Sequence, residues 1–246
     1  MVRDLLSDLS PRHRKAGLVG LVLGLAVMTG CADRRGQQFN VPAFSRAVPF
    51  IAKPIAQLAG TIRLRTGRLT GRDEIRTALQ QELRPFDIVF LSAPYKGTSL
   101  FIPGHFSHVG IWLGYESDWK GINLPPRLHS ALVDRQSFFH SDREGVRFSV
   151  IDEILDADHV AIARPSTRLA LADTVRRVEA LSVRDYDFNF DGIDRSALLC
   201  TELILDLLEM QPIATSSFLG RSFATPDQLF ETLLAKGAVL NQRIAD

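Results

Sequence analysis

Residues 107–114 read Ser-His-Val-Gly-Ile-Trp-Leu-Gly, with apolar side chains alternating with small or polar ones. This period of two predicts a half-buried β-strand. Earlier in the chain, residues 87–91 (DIVFL) continue from an aspartate into an apolar, β-branched run, which predicts a buried strand. Further short strands are expected at 127–134 (RLHSALVD), 146–150 and 160–164 (VAIAR). The middle of the chain is therefore predicted to form a block of strands.

Helices are predicted on both sides of this block. Apolar residues recur at helical spacing in 72–83 and 168–181, and a helical turn is expected at 151–155. The most apolar helix is predicted at 197–210 (ALLCTELILDLLEM), after an acidic loop at 185–194. Strands in one block with flanking helices predict an α+β fold.

The composition is that of a globular domain. Of the 246 residues, 46% are hydrophobic and 23% are charged, and only two are cysteines. This length allows one domain with a full core. The composition excludes a disordered, collagen-like or disulfide-stapled protein.

Residues 1–30 have the form of an export signal. Basic residues precede a 13-residue apolar run at 16–28 (AGLVGLVLGLAVM). A membrane-spanning helix needs about 20 residues, so this run fits the apolar part of a secretory signal instead.

The apolar run leads into Met-Thr-Gly-Cys, which ends at Cys31 and resembles a bacterial lipobox. The resemblance implies cleavage before Cys31 and lipidation of its thiol by diacylglyceryl and palmitate groups. Ala32 at the next position implies sorting to the outer membrane of a Gram-negative cell, on its periplasmic side. The alternatives are an ordinary signal peptide or a disulfide between Cys31 and Cys200. If Cys31 is lipidated, Cys200 is the one free thiol of an exported chain.

The charge is divided unequally along the chain. Residues 31–72 carry eight basic residues against one acidic residue, whereas residues 73–246 carry 17 basic and 25 acidic residues. We expect 31–72 to contain a tether followed by a basic amphipathic segment that lies on anionic headgroups. The alternative is that the apolar face of this segment packs on the domain while its charges are solvated. The acidic body argues against nucleic acid as a partner.

Six short motifs follow one another in a recognisable order. They are DIVF at 87–90, SHVGIWLG at 107–114, HSA at 129–131, YDF at 186–188, CTEL at 200–203 and TPD at 225–227. The order is similar to that of the YiiX/YaeF-like branch of the NlpC/P60 superfamily, the permuted papain-like amidases. In ordinary NlpC/P60 enzymes the cysteine helix precedes the histidine strand, and here it follows. One departure is Phe86, where the family usually has glycine before the aspartate.

The resemblance covers about residues 83–230 and implies a papain-like fold, an antiparallel sheet with packed helices, in a domain at 73–246. It also implies that Cys200 is the nucleophile, that His108 is the general base and acid, and that His129 orients His108. Cys200 near a helix N-terminus and beside an imidazole is expected to ionise as a thiolate–imidazolium pair. A third polar group is needed to orient the imidazole.

Three further residues are candidates for supporting roles. Tyr95 and Tyr186 each offer a hydroxyl for an oxyanion, and Glu202 is expected to cap or ion-pair the first turn of the cysteine helix. His105 and His140 are expected in a loop and in a polar turn, without a role in the site.

No metal and no cofactor are expected. His105, His108, His129 and Cys200 suggest zinc, but no ligand spacing typical of zinc supports it. Residues 187–192 match the first half of a calcium loop, but Leu198 occupies the twelfth position, where a glutamate belongs. No serine-hydrolase, phosphate-loop or dinucleotide motif is present.

These observations predict a membrane-anchored cysteine hydrolase of the cell envelope. It is expected to cleave amide bonds in cell-wall peptides or amino-acid conjugates through an acyl-enzyme. The alternatives are a lipid-directed acyltransferase or thioesterase, favoured by the apolar loop at 100–103, and a non-catalytic envelope lipoprotein that binds ligands in the same cleft.

Overall fold

The computed structural model describes residues 57–58, 60–100, 102–166, 169–190, 195–218 and 221–245. The predicted signal and the lipobox with Cys31 lie outside these residues. In chain order the elements are α1 Asp73–Glu82, β1 Ile88–Ser92, β2 His108–Trp112, α2 Pro126–Val133, β3 Phe138–Asp142, β4 Gly145–Ser149, α3 Ile151–Leu155, β5 His159–Arg164, α4 Leu171–Leu181, β6 Asp185–Tyr186, β7 Ala197–Leu198, α5 Cys200–Leu207, β8 Ser216–Phe218, β9 Arg221–Phe223, α6 Pro226–Ala235 and β10 Val239–Ala245. Two short 3₁₀ turns lie at Gly97–Leu100 and Glu116–Trp119.

The core of the fold is a six-stranded sheet in the order β10-β5-β1-β2-β3-β4. Every neighbouring pair in it is antiparallel. The α+β fold predicted from the sequence is confirmed, and the papain-like sheet with packed helices is consistent with this arrangement. Within the part of the chain that the structure describes, no helix is long and apolar enough to cross a membrane.

Helices cover both faces of the sheet. Successive side chains of a strand point to opposite faces, so each buried strand packs against helices on both sides. In β1, Ile88 and Phe90 share a hydrophobic cluster with residues of α2, α4, α5 and α6. Val89 and Leu91 alternate with them and join a second cluster with residues of α1 and α3. All five residues of β1 are buried, as its largely apolar sequence predicts.

The prediction of a strand at 127–134 is wrong, because these residues lie in helix α2 and its C-terminal cap. A proline stands in its first turn, where the missing N–H costs nothing. Leu128, Ala131 and Leu132 are buried at helical spacing, and they face the sheet while the intervening residues are exposed. Short apolar runs fit either period, and here tertiary packing selects the helix.

The predicted helix 197–210 begins later, at Cys200. Residues 197–198 form the short strand β7, which pairs in parallel with β6. Ser141 on β3 donates its hydroxyl to the Leu198 carbonyl at 2.7 Å. The turn before Cys200 is thereby attached directly to the central sheet.

Phe86 has a φ of 74°, in the left-handed region that glycine adopts without a Cβ penalty. This explains why glycine precedes the aspartate in the motif that the sequence resembles. The Phe86 ring compensates by packing edge-on against Trp119, with 5.8 Å between ring centroids. The departure from the motif therefore affects a turn and leaves β1 intact.

The described part of the basic segment lies on the acidic domain. Arg63 pairs with Asp156 at 2.7 Å, and Arg65 pairs with Asp158 at 2.5 Å. Leu69 is fully buried, whereas Leu64 is 80% exposed. These two arginines thus form ion pairs within the protein. The expectation was that the charges of this segment would face either headgroups or water.

Candidate active site

Cys200 and His108 open onto one cavity of about 330 Å³. The cavity lies at the end of the sheet where β2 begins and where α5 starts. His140 and Tyr186 also line it. The two residues predicted to carry the chemistry are therefore brought together, although 92 positions separate them in the sequence.

Three hydrogen bonds position the cysteine at the start of α5. Ser141 holds the Leu198 carbonyl, as described above, and the buried Thr201 hydroxyl donates to the Ala224 carbonyl at 2.8 Å. The backbone N–H of Leu199 donates to Glu202 Oε2 at 2.8 Å. Glu202 thus caps the first turn, as one of its two predicted roles requires. Cys200 itself is 4% exposed.

His108 is oriented by a second histidine. Its Nε2 lies 2.9 Å from Nδ1 of His140, which is buried on the neighbouring strand β3. His140 Nε2 lies 2.6 Å from the Ser149 hydroxyl oxygen, which accepts a hydrogen bond from Arg147 Nη1 at 2.8 Å. The His140 ring stacks on Phe138, with 4.7 Å between centroids and 18° between planes. The hydrogen bonds that connect His108, His140 and Ser149 fix both the position and the orientation of the His108 ring.

Burial keeps the thiol and the imidazole uncharged. It lowers the pKa of His108 to about 4, although the negative charge of Asp142 acts in the opposite direction. It raises the pKa of Cys200 to about 12, against the stabilising backbone N–H groups of Val109 and Thr201. Burial therefore disfavours the thiolate–imidazolium pair expected from the sequence. Desolvation outweighs the helix N-terminus.

Asp142 Oδ2 accepts hydrogen bonds from Arg147 Nε at 2.9 Å and Nη2 at 2.6 Å, and it lies 4.0 Å from His140 Nδ1. Burial alone would raise the pKa of Asp142, but the Arg147 guanidinium, with Nη2 at 2.6 Å, holds it below its ordinary value. Burial also lowers the pKa of His140 far below its usual range. A neutral His140 beside a fixed negative charge is suited to stabilise positive charge when it develops on His108.

His129 does not contact His108, in contrast to the sequence prediction. It lies on the exposed side of α2, and its Nε2 is 3.7 Å from Glu116 Oε1. The error follows from taking 127–134 as the strand next to His108. That neighbour is β3, in which His140 stands opposite Gly110 of β2. The partner that the resemblance placed at His129 is thus found at His140.

The sequence predicted His140 in a polar turn, because the residues around it fit a strand and a turn equally well. It follows Ser137, Phe138 and Phe139 and precedes Ser141 and Asp142. A histidine directly after two aromatic residues was the available signal. The β2–β3 register that brings it to His108 is set by tertiary pairing.

The two candidate tyrosines have different positions. Tyr95 does not line the cavity, and its hydroxyl donates to the Asp156 carbonyl at 2.8 Å. Tyr186 lines the cavity beside Cys200, and burial raises its pKa well above the ordinary value. Tyr186 thus stays protonated as a hydrogen-bond donor next to the thiol, whereas Tyr95 supports the surrounding loops.

The metal alternatives find no support in the described residues. No group of three or more histidine, cysteine, aspartate or glutamate side chains there is placed to hold a metal ion. In the calcium-like stretch, Asp187 Oδ1 accepts hydrogen bonds from the backbone N–H groups of Asn189 and Phe190. Leu198 is buried in β7, and residues 191–194 lie outside the described part. His105 packs against Phe106 and His159, away from the cavity lining.

The chain matches a known protein family. The model of the permuted papain-like amidase enzymes of the YaeF/YiiX type matches residues 82–246. Comparisons with curated proteins and with solved structures give no match. The match covers the whole sheet, with Cys200, His108 and His140, in the permuted order already seen in the motifs. The chain therefore belongs to the YaeF/YiiX family of permuted papain-like amidases, and it is a papain-like cysteine amidase.

Proposed function

We propose that this amidase hydrolyses an amide bond in a cell-wall peptide or an amino-acid conjugate through an acyl-enzyme on Cys200. The observation that carries the proposal is the convergence of Cys200 and the His108–His140 pair on one cavity. A nucleophile, a base and an orienting group are what acyl transfer requires.

The proposed first step begins from a neutral thiol. Because Nε2 of His108 is engaged by His140, Nδ1 is the ring nitrogen left for the thiol. Cys200 Sγ attacks the carbonyl carbon while His108 Nδ1 accepts the thiol proton. In this arrangement His108 Nε2–H donates to His140 Nδ1, and His140 Nε2–H donates to the Ser149 hydroxyl oxygen. This oxygen has two lone pairs, and the second accepts the hydrogen bond from Arg147. These tautomers are assigned from the hydrogen-bond chain.

The remaining steps return the enzyme to its starting state. The oxyanion accepts hydrogen bonds from the Tyr186 hydroxyl and from backbone N–H groups at the start of α5. The imidazolium gives its proton to the leaving amine, and the C–N bond breaks to leave a thioester. Water, deprotonated by His108, then attacks the thioester, and the proton returns to the departing thiolate.

The charges around the cavity favour an amino-acid or peptide portion of the substrate. Both signs are represented by four side chains each, namely Arg63, Lys96, Arg143 and Arg147 with Asp142, Glu144, Glu153 and Asp156. Several of these charges pair with one another, and such a mixed lining suits a group that carries both an ammonium and a carboxylate.

A thiol-directed acyl probe tests the proposal. We expect it to label Cys200 in the wild type, and labelling to be lost in Cys200→Ala and strongly reduced in His108→Ala. His105→Ala is the matched histidine control, because His105 is outside the cavity lining, and it should label normally. A correctly folded wild type that takes up no probe would rule out the proposed activity.

A lipid-directed acyltransferase or thioesterase is the second candidate. It is favoured by Ile102, an apolar residue of the loop that follows β1, which lines the cavity together with Cys200. Incubation with purified peptidoglycan, beside a mixture of acyl lipids, separates the two. New amines from peptidoglycan support the amidase proposal, whereas released fatty acids or acyl exchange support the lipid-directed candidate.

We also propose that a lipid on Cys31 anchors the enzyme in the bacterial envelope, on the periplasmic face of the outer membrane. The support is the lipobox-like sequence that ends at Cys31. Cys31→Ser is expected to move the protein from the membrane to the soluble fraction. If it stays on the membrane, the lipid anchor is not what holds it there.

A further inference from the structure

A segment that precedes the family-matched residues forms part of the catalytic cavity. We call residues 60–67 the strap. Four consecutive members, Gly60, Thr61, Ile62 and Arg63, line the cavity together with Cys200. The family match begins at residue 82, so this wall of the cavity comes from a part of the chain that the family model does not include.

One rim of the cavity binds the strap as an added strand would. The Gly97 N–H donates to the Ile62 carbonyl at 2.9 Å, and the Leu64 N–H donates to the Tyr95 carbonyl at 3.1 Å. Between them, Arg63 and Lys96 form an antiparallel β-bridge. The strap is therefore paired through its backbone with the loop that follows β1.

The other rim is the turn between β3 and β4, and it contacts the start of the strap. Arg143 Nη1 donates to the Gly60 carbonyl at 3.2 Å. Both Arg143 and Lys96 line the cavity. The strap thus bridges the loop that follows β1 and the turn between β3 and β4.

The carboxylates of Asp158 and Asp156 hold the far end of the strap. Arg65 makes two hydrogen bonds to the half-turn before β5, from Nη1 to Asp158 Oδ1 at 2.8 Å and from Nη2 to Asp158 Oδ2 at 2.5 Å. Gly67 N–H donates to Asp156 Oδ1 at 3.1 Å. A Cβ at Gly67 would lie 2.7 Å from the Ala157 carbonyl oxygen and 2.6 Å from the Tyr95 hydroxyl, so the strap fits here only because residue 67 has no side chain.

We propose that the strap makes this amidase select the end of a chain. One side of the scissile amide is a terminal, charged group of about one or two residues, because a cavity of about 330 Å³ is at the lower limit for small-ligand sites and the strap spans its rim between Lys96 and Arg143. For an amide in the interior of a long peptide, the chain on that side would have to leave the cavity past the strap, which narrows this exit. This inference rests on the proposed function and adds its substrate class.

Two alkylating probes of unequal length test the inference. The first is N-bromoacetyl-ornithine, which presents a single residue with both charges. The second has its ornithine carboxyl joined to an oligoglycine tail that ends in a free carboxylate, so that both probes carry one ammonium and one carboxylate and differ in length. Alkylation of Cys200 is followed by intact mass. We expect the wild type to react with the short probe at least about tenfold faster than with the long one, relative to free cysteine.

Two variants displace the strap and leave the catalytic residues in place. Arg65→Ala removes the clamp on Asp158, and Gly67→Ala forces the strap away from Ala157. Both should bring the short-to-long ratio close to that of free cysteine. Arg76→Ala is the matched control, since Arg76 pairs with Asp152 outside the cavity lining, and it should keep the wild-type ratio.

Hydrogen exchange at the amides of Leu64 and Gly97 reports whether the strap has moved. Faster exchange with a reduced ratio supports the inference. Faster exchange with an unchanged ratio overturns it, as does a wild type that reacts equally well with both probes. If Cys200 of the folded wild type reacts with neither probe, the proposed function itself fails.

Discussion

Nε2 of His108 lies 2.9 Å from Nδ1 of His140, and this pair connects the two strands that form the catalytic end of the sheet. The next residue of β3, Ser141, holds the turn that leads into Cys200. Adjacent positions of one strand thus place the base and the nucleophile. The geometry of the site depends on the β2–β3 register more than on the cysteine helix alone.

The first prediction concerns the orienting histidine. His140→Ala should lower kcat/KM by roughly 10²–10⁴-fold, because the imidazole of His108 loses its orientation and its acceptor. His140→Asn, which keeps an acceptor, should recover part of the loss, chiefly in kcat. His129→Ala is the matched control and should change kcat/KM by less than about twofold, as expected of an exposed residue outside the site. A larger loss in the His129 variant than in the His140 variant would reverse this assignment.

A second prediction follows from the neutral thiol. Burial raises the pKa of Cys200 to about 12 and lowers that of His108 to about 4. The rate of iodoacetamide alkylation of Cys200 should therefore rise steadily with pH through the neutral range, since the thiolate is the reactive form. The control is the same measurement on unfolded protein, in which the rate should level off near the ordinary thiol pKa. A rate that is constant from acid to neutral pH would indicate a preformed ion pair.

A third prediction concerns acid stability. The pKa of His108 lies below its ordinary 6.5, so the unfolded chain takes up a proton first as the pH falls. The contribution of neutral His108 to the free energy of unfolding is fully present above pH 6.5. It is lost as the pH falls toward 4, and the loss amounts to about 3 kcal/mol. Urea unfolding at both ends of this range measures it.

His108→Gln should remove that part of the pH dependence, whereas His129→Gln should retain it. Identical slopes of unfolding free energy against pH in the wild type and His108→Gln would show that His108 is not protected from protonation in the folded state.

A fourth prediction concerns Gly110, which stands opposite His140 in the sheet. A Cβ there would lie 2.9 Å from the Cβ of His140 and 2.5 Å from Cζ of Phe138. Gly110→Ala should therefore shift the His140 ring, with a loss of unfolding free energy of about 1–3 kcal/mol. Activity per folded molecule should fall as well.

Gly121→Asn is the control for this variant, because nothing lies within 4 Å of a Cβ at Gly121 and asparagine tolerates its φ of 82°. It should leave the activity unchanged. Full activity in a folded Gly110→Ala protein would mean that the position of His140 does not matter.

Much of the fold could be predicted from periodicity. The alternation in SHVGIWLG and the apolar run DIVFL correspond to β2 and β1, and helical spacing corresponds to α1 and α4. The strand predicted around His129 is helix α2, because eight residues with a few apolar positions satisfy both periods and only packing decides between them.

The candidate site could be predicted only in part. Cys200 and His108 were found because their local patterns are distinctive, whereas His140 depends on which strand pairs with β2. The contacts of the strap depend on carboxylates more than 80 positions away, such as Asp156 and Asp158. Such long-range pairings leave no local signal in a single sequence. The effect of burial on the pKa of Cys200 could not be predicted either, because burial is a property of the folded chain.

The most direct test of the account is to trap the acyl-enzyme with an activated amide, such as an amino-acid anilide, and to follow its intact mass over time. The account predicts that one acyl group appears on Cys200, that it decays as the free acid is released, and that neither adduct nor turnover occurs in Cys200→Ala. Turnover by the Cys200→Ala variant, or an acyl group on any other residue, would contradict it.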